Sequence, residues 1–564
     1  MPLRILLVIV FTMISILSRP LWAKTFSVVE ATIPQMQAAM EAGNITSREI
    51  VTQYLVRMAL YENTINAALS VNPKVLAIAD ALDRERAAGK LRGPLHGIPI
   101  AIKDNIHTDD MPTTAGTLAL EGFIAPYEAT LVARLREAGA IIIAKTVLTE
   151  MANWMVLGMP NNYSAIGGFA FNPYDPRRDM RPGRNDGRGV LPTGSSSSGA
   201  GTAANFWAAN IGTETVNSVI GPSSANMLAA IKPTIGRISR WGIIPVSYDQ
   251  DSAGPMTKNI TDAAILLGAM EGVDPNDPMT TRCKPPVNND YTAFLKANAL
   301  NGARIGVPRA WFMKPHLLPD RDIPAGGLPH DQIDMMEEAI AIMRSANATL
   351  IDPADVPSTI EKEWNNNPLV HGTCSAGPSF RDNDDSCSIV LKYSFKRDIN
   401  TWFDTLNGTA RVSSLTELRQ WNVMNAALGT LKYAQHTLDV SDEMDPSLEE
   451  DQRRYKADRA RDISLSGENG IDAVLKQHNL DALIFAGSRA SGLLAKAGYP
   501  SVTVPFGMVT NTSGDHEAFP ESFKPNLAPL GVTFSGTECS EPKLIALAYA
   551  FEQITKRRME PKGF

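Results

Sequence analysis

The sequence predicts an α/β fold, and three observations carry that expectation. Helical and strand signals alternate along the chain, 44% of its 564 residues are hydrophobic against 20% charged, and no Pro- or Ser-rich linker divides it. The alternation favours helices layered on a sheet over segregated all-α and all-β parts. The composition belongs to a chain with a large buried core, far from the profile of disorder. A prior of about 150 residues per domain suggests several domains, but large single α/β units override it. With 53 Lys+Arg against 60 Asp+Glu, the formal charge of -7 does not suit a protein that neutralises a nucleic-acid backbone. A small-molecule or peptide substrate fits better.

Residues 1–23 read as a secretory signal peptide: Arg4 supplies the positive start, Ile5 to Leu17 form the apolar run, and Ala23 is a small residue at the cleavage end. An uncleaved membrane anchor is the alternative, although the run falls short of the ~20 residues that span a bilayer. No later stretch is long and apolar enough to span, so no stable membrane span is expected once the signal is removed. Export, to a periplasm or the outside, puts Cys283, Cys374, Cys387 and Cys539 in an oxidising compartment. A bridge between Cys374 and Cys387 is the candidate disulfide, since only a short loop separates them; two buried free thiols are the alternative.

Thr46 and Glu49 have capping-box spacing ahead of apolar Ile50, Leu55 and Met58, which starts a helix. A second, charged helix is expected over 75–89, ending near Gly89. GIPIAIKDNI from Gly97 switches to a β-type run, and ATLVARLREAGAIIIAKT from Ala129 reads as helix, Gly139 stop and buried strand. Between Asn172 and Gly194 the prolines and glycines make a loop carrying Arg177, Arg178, Arg181, Arg184 and Arg188. That cluster could greet an anionic group, though a solvated loop face is the simpler reading. Residues 330–470 are helix-rich and polar. Strand-like runs return at Ala303, Leu480, Ser501 and Leu530, and a closing helix follows Ser540 as its N-cap.

Much chemistry is missing from the pattern. The eight histidines are scattered, no two at the i, i+4 spacing of a helical zinc site. There is no GxxxxGK[ST] loop, no GxGxxG after a strand and no GxSxG elbow, so ATP, dinucleotide and ordinary α/β-hydrolase readings lose support. No metal and no cofactor are expected. Ser540 and Lys543 have Ser-x-x-Lys spacing, but a helix start explains it.

Two features carry chemistry. Lys103 ends an otherwise apolar strand, where burial disfavours the ammonium and makes a neutral amine available as a base; a lysine snorkelling from a strand end is the bland alternative. The segment from Leu191 to Pro245 opens with small residues, GSSSSGAGTAA, that let backbone approach a substrate closely. A serine there is a candidate nucleophile, while a flexible loop is the alternative. The downstream motif GTETVNS, together with the lysine, favours the first.

In these blocks and in their order, together with GPLHGIPIAIKDNI, IKPTIGRISRWGIIPVSYDQDSAGPMTKNITDAA and AGYPSVTVPFG, the sequence resembles the amidase signature family, serine hydrolases with a Ser-cisSer-Lys triad. Its SRWGIIPVSYDQDSAGPMT is most similar to the peptide amidase branch. The resemblance implies a large twisted mixed β-sheet covered by helices on both faces, forming a single amidase domain over 24–564 with a helix-rich variable insertion around 310–470. It implies Lys103 as base and Ser218 as acyl-forming nucleophile. The family's GGSS[GS]G stands here as GSSSSG; counting back from Gly199 selects Ser196 as the bridging serine, with Ser195 as the alternate. Backbone N–H groups of Thr215, Val216, Asn217 and Ser218 are the implied oxyanion hole. Val216 and Asn217 stand where the family usually has a glycine before the nucleophile, and their side chains could narrow that hole. The implied activity is hydrolysis of a carboxylic or peptide amide through an acyl-enzyme, with an esterase, a weakly catalytic binding protein or an amidotransferase A-type subunit as rivals. Pocket walls are expected from the 172–194 loop and the stretch after 310, with Trp364, Trp402, Phe403 and Trp421 as possible lining or ordinary core.

Overall fold

A computed structural model describes residues 26–194, 198–319, 321–375, 380–511 and 518–564. Its centre is a mixed sheet of eleven strands: β1 (Ala68–Val71), β2 (Pro99–Lys103), β3 (Ile141–Thr146), β4 (Ala209–Glu214), β5 (Ala229–Lys232), β6 (Ser252–Thr257), β7 (Arg304–Gly306), β8 (Thr349–Ile351), β9 (Ala482–Ala486), β10 (Ser501–Val509) and β11 (Ala528–Ser535). Across the sheet the order is β1-β3-β2-β4-β6-β5-β10-β11-β9-β7-β8. The pairs β3/β2, β2/β4, β9/β7 and β7/β8 are parallel; the strands between β4 and β9 pair antiparallel.

Successive strand residues point to opposite faces, so a strand buried along its whole length needs cover on both. Ile100, Ala101 and Ile102 of β2 are all fully buried, as are Ile141 to Ala144 of β3. Helices supply that cover. Ser47–Ile65 starts at the predicted capping box: Thr46 N–H donates to Glu49 Oε2 and Glu49 N–H to Thr46 Oγ1. Val75–Ala87 and Thr130–Glu137 follow where the apolar spacing placed them. The helix Glu541–Thr555 also forms, but Ser540 does not cap it through its side chain; its hydroxyl turns back to the Thr537 carbonyl at 2.6 Å.

The stretch 310–470 is not purely helical: it lends β8 to the sheet edge before the helices Val390–Thr405, Leu415–Met424, His436–Asp442 and Glu449–Ile463. Trp402 and Phe403 are buried in a second apolar cluster with Phe123, Phe395 and Leu415, and Trp421 packs against it. Both are core, the simpler of the two readings.

Two disulfides close the chain. Cys374–Cys387 spans the predicted short loop, and Cys283–Cys539 joins residues 256 apart in sequence, a pairing that spacing alone did not suggest. The arginines of the 172–194 loop are consumed locally: Arg177 pairs with Asp175, Arg181 and Arg184 with Asp179, and Arg188 with Asp186.

Candidate active site

Two lysines sit fully buried on neighbouring strands, and their surroundings differ. Lys145, on β3, lies 3.4 Å from the buried carboxylate of Asp104 and donates to Thr113 Oγ1 at 2.7 Å and to the Pro112 carbonyl at 3.0 Å. Lys103, the last residue of β2, has no carboxylate at ion-pair distance among the described residues; its Nζ donates to the Thr213 carbonyl on β4 at 3.0 Å. The parallel register of β2 on β4, Ile102 opposite Ile211, brings Lys103 alongside Thr213. Burial lowers the Lys103 ammonium to about 8, and the more distant Asp251 and Glu214 carboxylates offset part of that effect. Proton loss is therefore within reach near neutral pH.

Beyond Glu214 the chain leaves the sheet, turns through Thr215 to Val219, and enters the short helix Ile220–Ala225. Two buried acids hold this turn. Glu214 Oε2 accepts the N–H groups of Val219 at 2.7 Å and Ile220 at 2.8 Å, satisfying orphan donors at the helix start. Asp251 accepts the Thr215 hydroxyl at 2.5 Å and the Val246 and Ser247 N–H groups at 2.9 Å each. Burial raises the Asp251 carboxyl to about 6 and Glu214 above the usual range. Ser218, buried at 7% exposure, lies inside the clamped turn. The N–H groups of Val216 and Asn217 have no hydrogen-bond partner among the described residues, while the Asn217 carbonyl accepts from Gly221 N–H at 2.8 Å. Asn217 is exposed and Val216 half-buried.

Lys103 and the turn of Ser218 thus meet at one end of β2 and β4. The bridging candidates Ser195 and Ser196 lie outside the described residues. Neither Glu214 nor Asp251 was singled out in the sequence; Glu214 lies inside GTETVNS, but a carboxylate that caps backbone N–H groups five and six residues on leaves no side-chain signature.

A cavity of about 220 Å³ opens beside the turn, with Val216 and Gln250 on one side. Its other walls come from Trp311 and Phe312, from residues 368–373 and 388–391, and from Arg489 to Lys496. The stretch after 310 contributes as expected; the 172–194 loop does not line this cavity. Trp364 reaches it only indirectly, packing its ring edge-on against His371 at 4.1 Å.

Residues 49–545 match the family model described as Amidase. A putative amidase of Arthroderma benhamiae is 32% identical over 534 residues, covering 94% of this chain and 82% of the relative. Two solved structures of peptide amidase are 34% identical to it. The enzyme from Stenotrophomonas maltophilia superposes with a TM-score of 0.77 over 94% of this chain and 98% of its own. The complex with the competitive inhibitor chymostatin reaches 0.78 over 94% and 99%. With the eleven-stranded sheet and a match over most of its length, the chain belongs to the Amidase family and is a hydrolase of carbon–nitrogen bonds.

Proposed function

We propose that the chain hydrolyses a carboxylic or peptide amide through an acyl-enzyme on Ser218, with Lys103 as base and Ser196, or Ser195, as the bridging hydroxyl. The observation that supports this most is the state of Lys103: a buried ammonium tied, among the described residues, only to a backbone carbonyl, its proton affinity lowered by burial. A neutral amine takes the bridging hydroxyl's proton as that hydroxyl takes the proton of Ser218. The Ser218 oxygen then bonds to the amide carbon, and the carbonyl electrons move to oxygen. Val216 and Asn217 N–H groups are unengaged among the described residues and belong to the turn that would face this oxyanion; one such donor contributes about 3 kcal/mol in comparable hydrolases. The proton returns to the leaving nitrogen, the C–N bond breaks, and water then cleaves the ester.

A peptide or small-molecule amide is the proposed substrate class, in keeping with the peptide amidase relatives. The proposed location is outside the cytoplasm, supported by the apolar run at 5–17 and the two disulfides. The test is hydrolysis of peptide amides and p-nitroanilides by the wild type, Ser218→Ala and Lys103→Met, with a fluorophosphonate to label the nucleophile. Mass shift at Ser218 and loss of turnover in both variants are expected; equal rates in wild type and Ser218→Ala would refute the assignment.

A further inference from the structure

Arginines withdrawn from water in this chain are matched to partners. Arg237 holds Glu271 and Glu541, Arg240 holds Asp277, and Arg558 holds Glu30. Arg57, without a carboxylate, donates to two backbone carbonyls at 2.8 and 2.9 Å. Arg489 departs from this pattern. Among the described residues it has no carboxylate partner; its guanidinium makes one long contact, 3.4 Å, to the Trp311 carbonyl, and its Nε is buried with no partner. The group lies over the Trp311 ring, 4.5 Å from the centroid, which orients its planar fork. Burial lowers its pKa, with no charge among the described residues to offset the effect.

Arg489 lines the same cavity as Val216 of the Ser218 turn. Its segment packs directly on the helix that follows Ser218: a Cβ at Gly487 would stand 2.8 Å from Ser224 Oγ, and one at Gly221 would stand 3.6 Å from Ser488 Oγ. The remaining ionisable groups of the cavity cancel or are neutral. Lys496 is bound to Asp462 at 2.9 Å and to the His371 carbonyl at 2.8 Å. His371 is pushed down to about 4 by burial and by Arg461 and Lys496. Phe312, Leu369, Val390, Leu391 and Leu493 make the rest of the wall largely apolar. A half-buried cation in a largely apolar cavity, with no carboxylate partner among the described residues, is costly unless an anion arrives with the ligand.

We propose that Arg489 is a specificity-determining residue that pairs with a carboxylate on the substrate, so that the preferred amides carry an apolar body ending in an anion. This rests on the reading of the cavity as the substrate site beside Ser218. The guanidinium fork fits a carboxylate with two parallel hydrogen bonds, which a lysine could not reproduce.

The experiment compares adipamate with hexanamide, equal in chain length and differing only in the terminal carboxylate, on the wild type, Arg489→Gln and Arg489→Lys. Wild type is expected to favour adipamate in kcat/KM by about tenfold or more. That ratio should fall to within about twofold of one in Arg489→Gln, with Arg489→Lys between them. Calorimetric binding of adipate and hexanoate gives the same comparison without turnover, and thermal melting checks that each variant is folded; were Arg489→Gln not to fold, Arg489→Lys carries the comparison. Turnover of both amides with no carboxylate preference overturns the role of Arg489 and leaves the hydrolase standing. Adipate bound more tightly than hexanoate through Arg489, with neither amide cleaved, supports the role and counts against the proposed chemistry. Equal binding of both acids by wild type overturns the role outright.

Discussion

Lys103 Nζ donates to the carbonyl oxygen of Thr213 across the seam between β2 and β4. This contact ties a buried amine to the strand that leads into the turn of Ser218. A base that must be neutral makes acylation rise with pH until its proton is gone. With burial holding the ammonium at about 8, kcat/KM for a p-nitroanilide should rise about tenfold per unit below pH 7 and level off above about pH 9. Initial rates from about pH 5 to pH 10 check this, and a flat profile across that range would remove Lys103 as the base.

Glu214 raises the proton affinity of Lys103 while its carboxylate holds the Val219 and Ile220 N–H groups. Glu214→Gln removes the charge, so the pH midpoint of kcat/KM should move to lower pH. Glu214→Ala also strands two donors and should cost about 2–4 kcal/mol in urea unfolding, with Glu214→Gln costing less. A midpoint unmoved in Glu214→Gln would show that this carboxylate does not reach the base.

Lys145 on the neighbouring strand forms a buried pair with Asp104, the residue after Lys103. Lys145→Met alone leaves a buried carboxylate unmatched and should destabilise by about 3–5 kcal/mol, whereas Asp104→Leu with Lys145→Met should recover much of that loss. Denaturant melts of the two single variants and the double variant measure the coupling.

The Cys283–Cys539 bridge closes a loop of 256 residues and Cys374–Cys387 one of 13. Loop-closure entropy favours the longer bridge: replacing Cys283 and Cys539 by Ala should cost about 5–6 kcal/mol, against about 3 for the other pair. Thermal melts compare them, and thiol titration of the denatured oxidised protein should find no free cysteine.

Gly492 lines the cavity and nothing lies within 4 Å of where its Cβ would stand. Gly492→Leu should therefore fold without penalty, since a helical glycine is worse than leucine by about 0.5–1 kcal/mol. It should also fill the cavity and lower kcat/KM for bulky acyl groups by about tenfold or more. A melting temperature equal to or above wild type with unchanged kinetics would place the substrate elsewhere.

Periodicity and end signals made Ser47–Ile65, Val75–Ala87, β2 and β3 legible, because each is defined by contacts or caps within a few residues. Lys103 was legible for a related reason: a charged residue ending an apolar strand is anomalous in the sequence itself. Arg489 was not, because what distinguishes it is the lack of a carboxylate partner among the described residues; Glu214 and Asp251 were not, because they bond mainly to nearby backbone N–H groups, which carry no side-chain signature. In the 172–194 loop, by contrast, Arg177, Arg181 and Arg188 each pair with an acid two residues before them.

The sequence by itself determined the α/β class, most element positions, the family resemblance and the lysine and serine on which the chemistry is proposed to turn. Only the tertiary structure decided the strand order, the Cys283–Cys539 bridge, the two acids clamping the Ser218 turn and the cavity-facing arginine that has no carboxylate partner among the described residues. Local signals arise from steric and hydrogen-bonding preferences between near neighbours, whereas burial and charge compensation depend on which remote side chains the eleven-stranded sheet brings together.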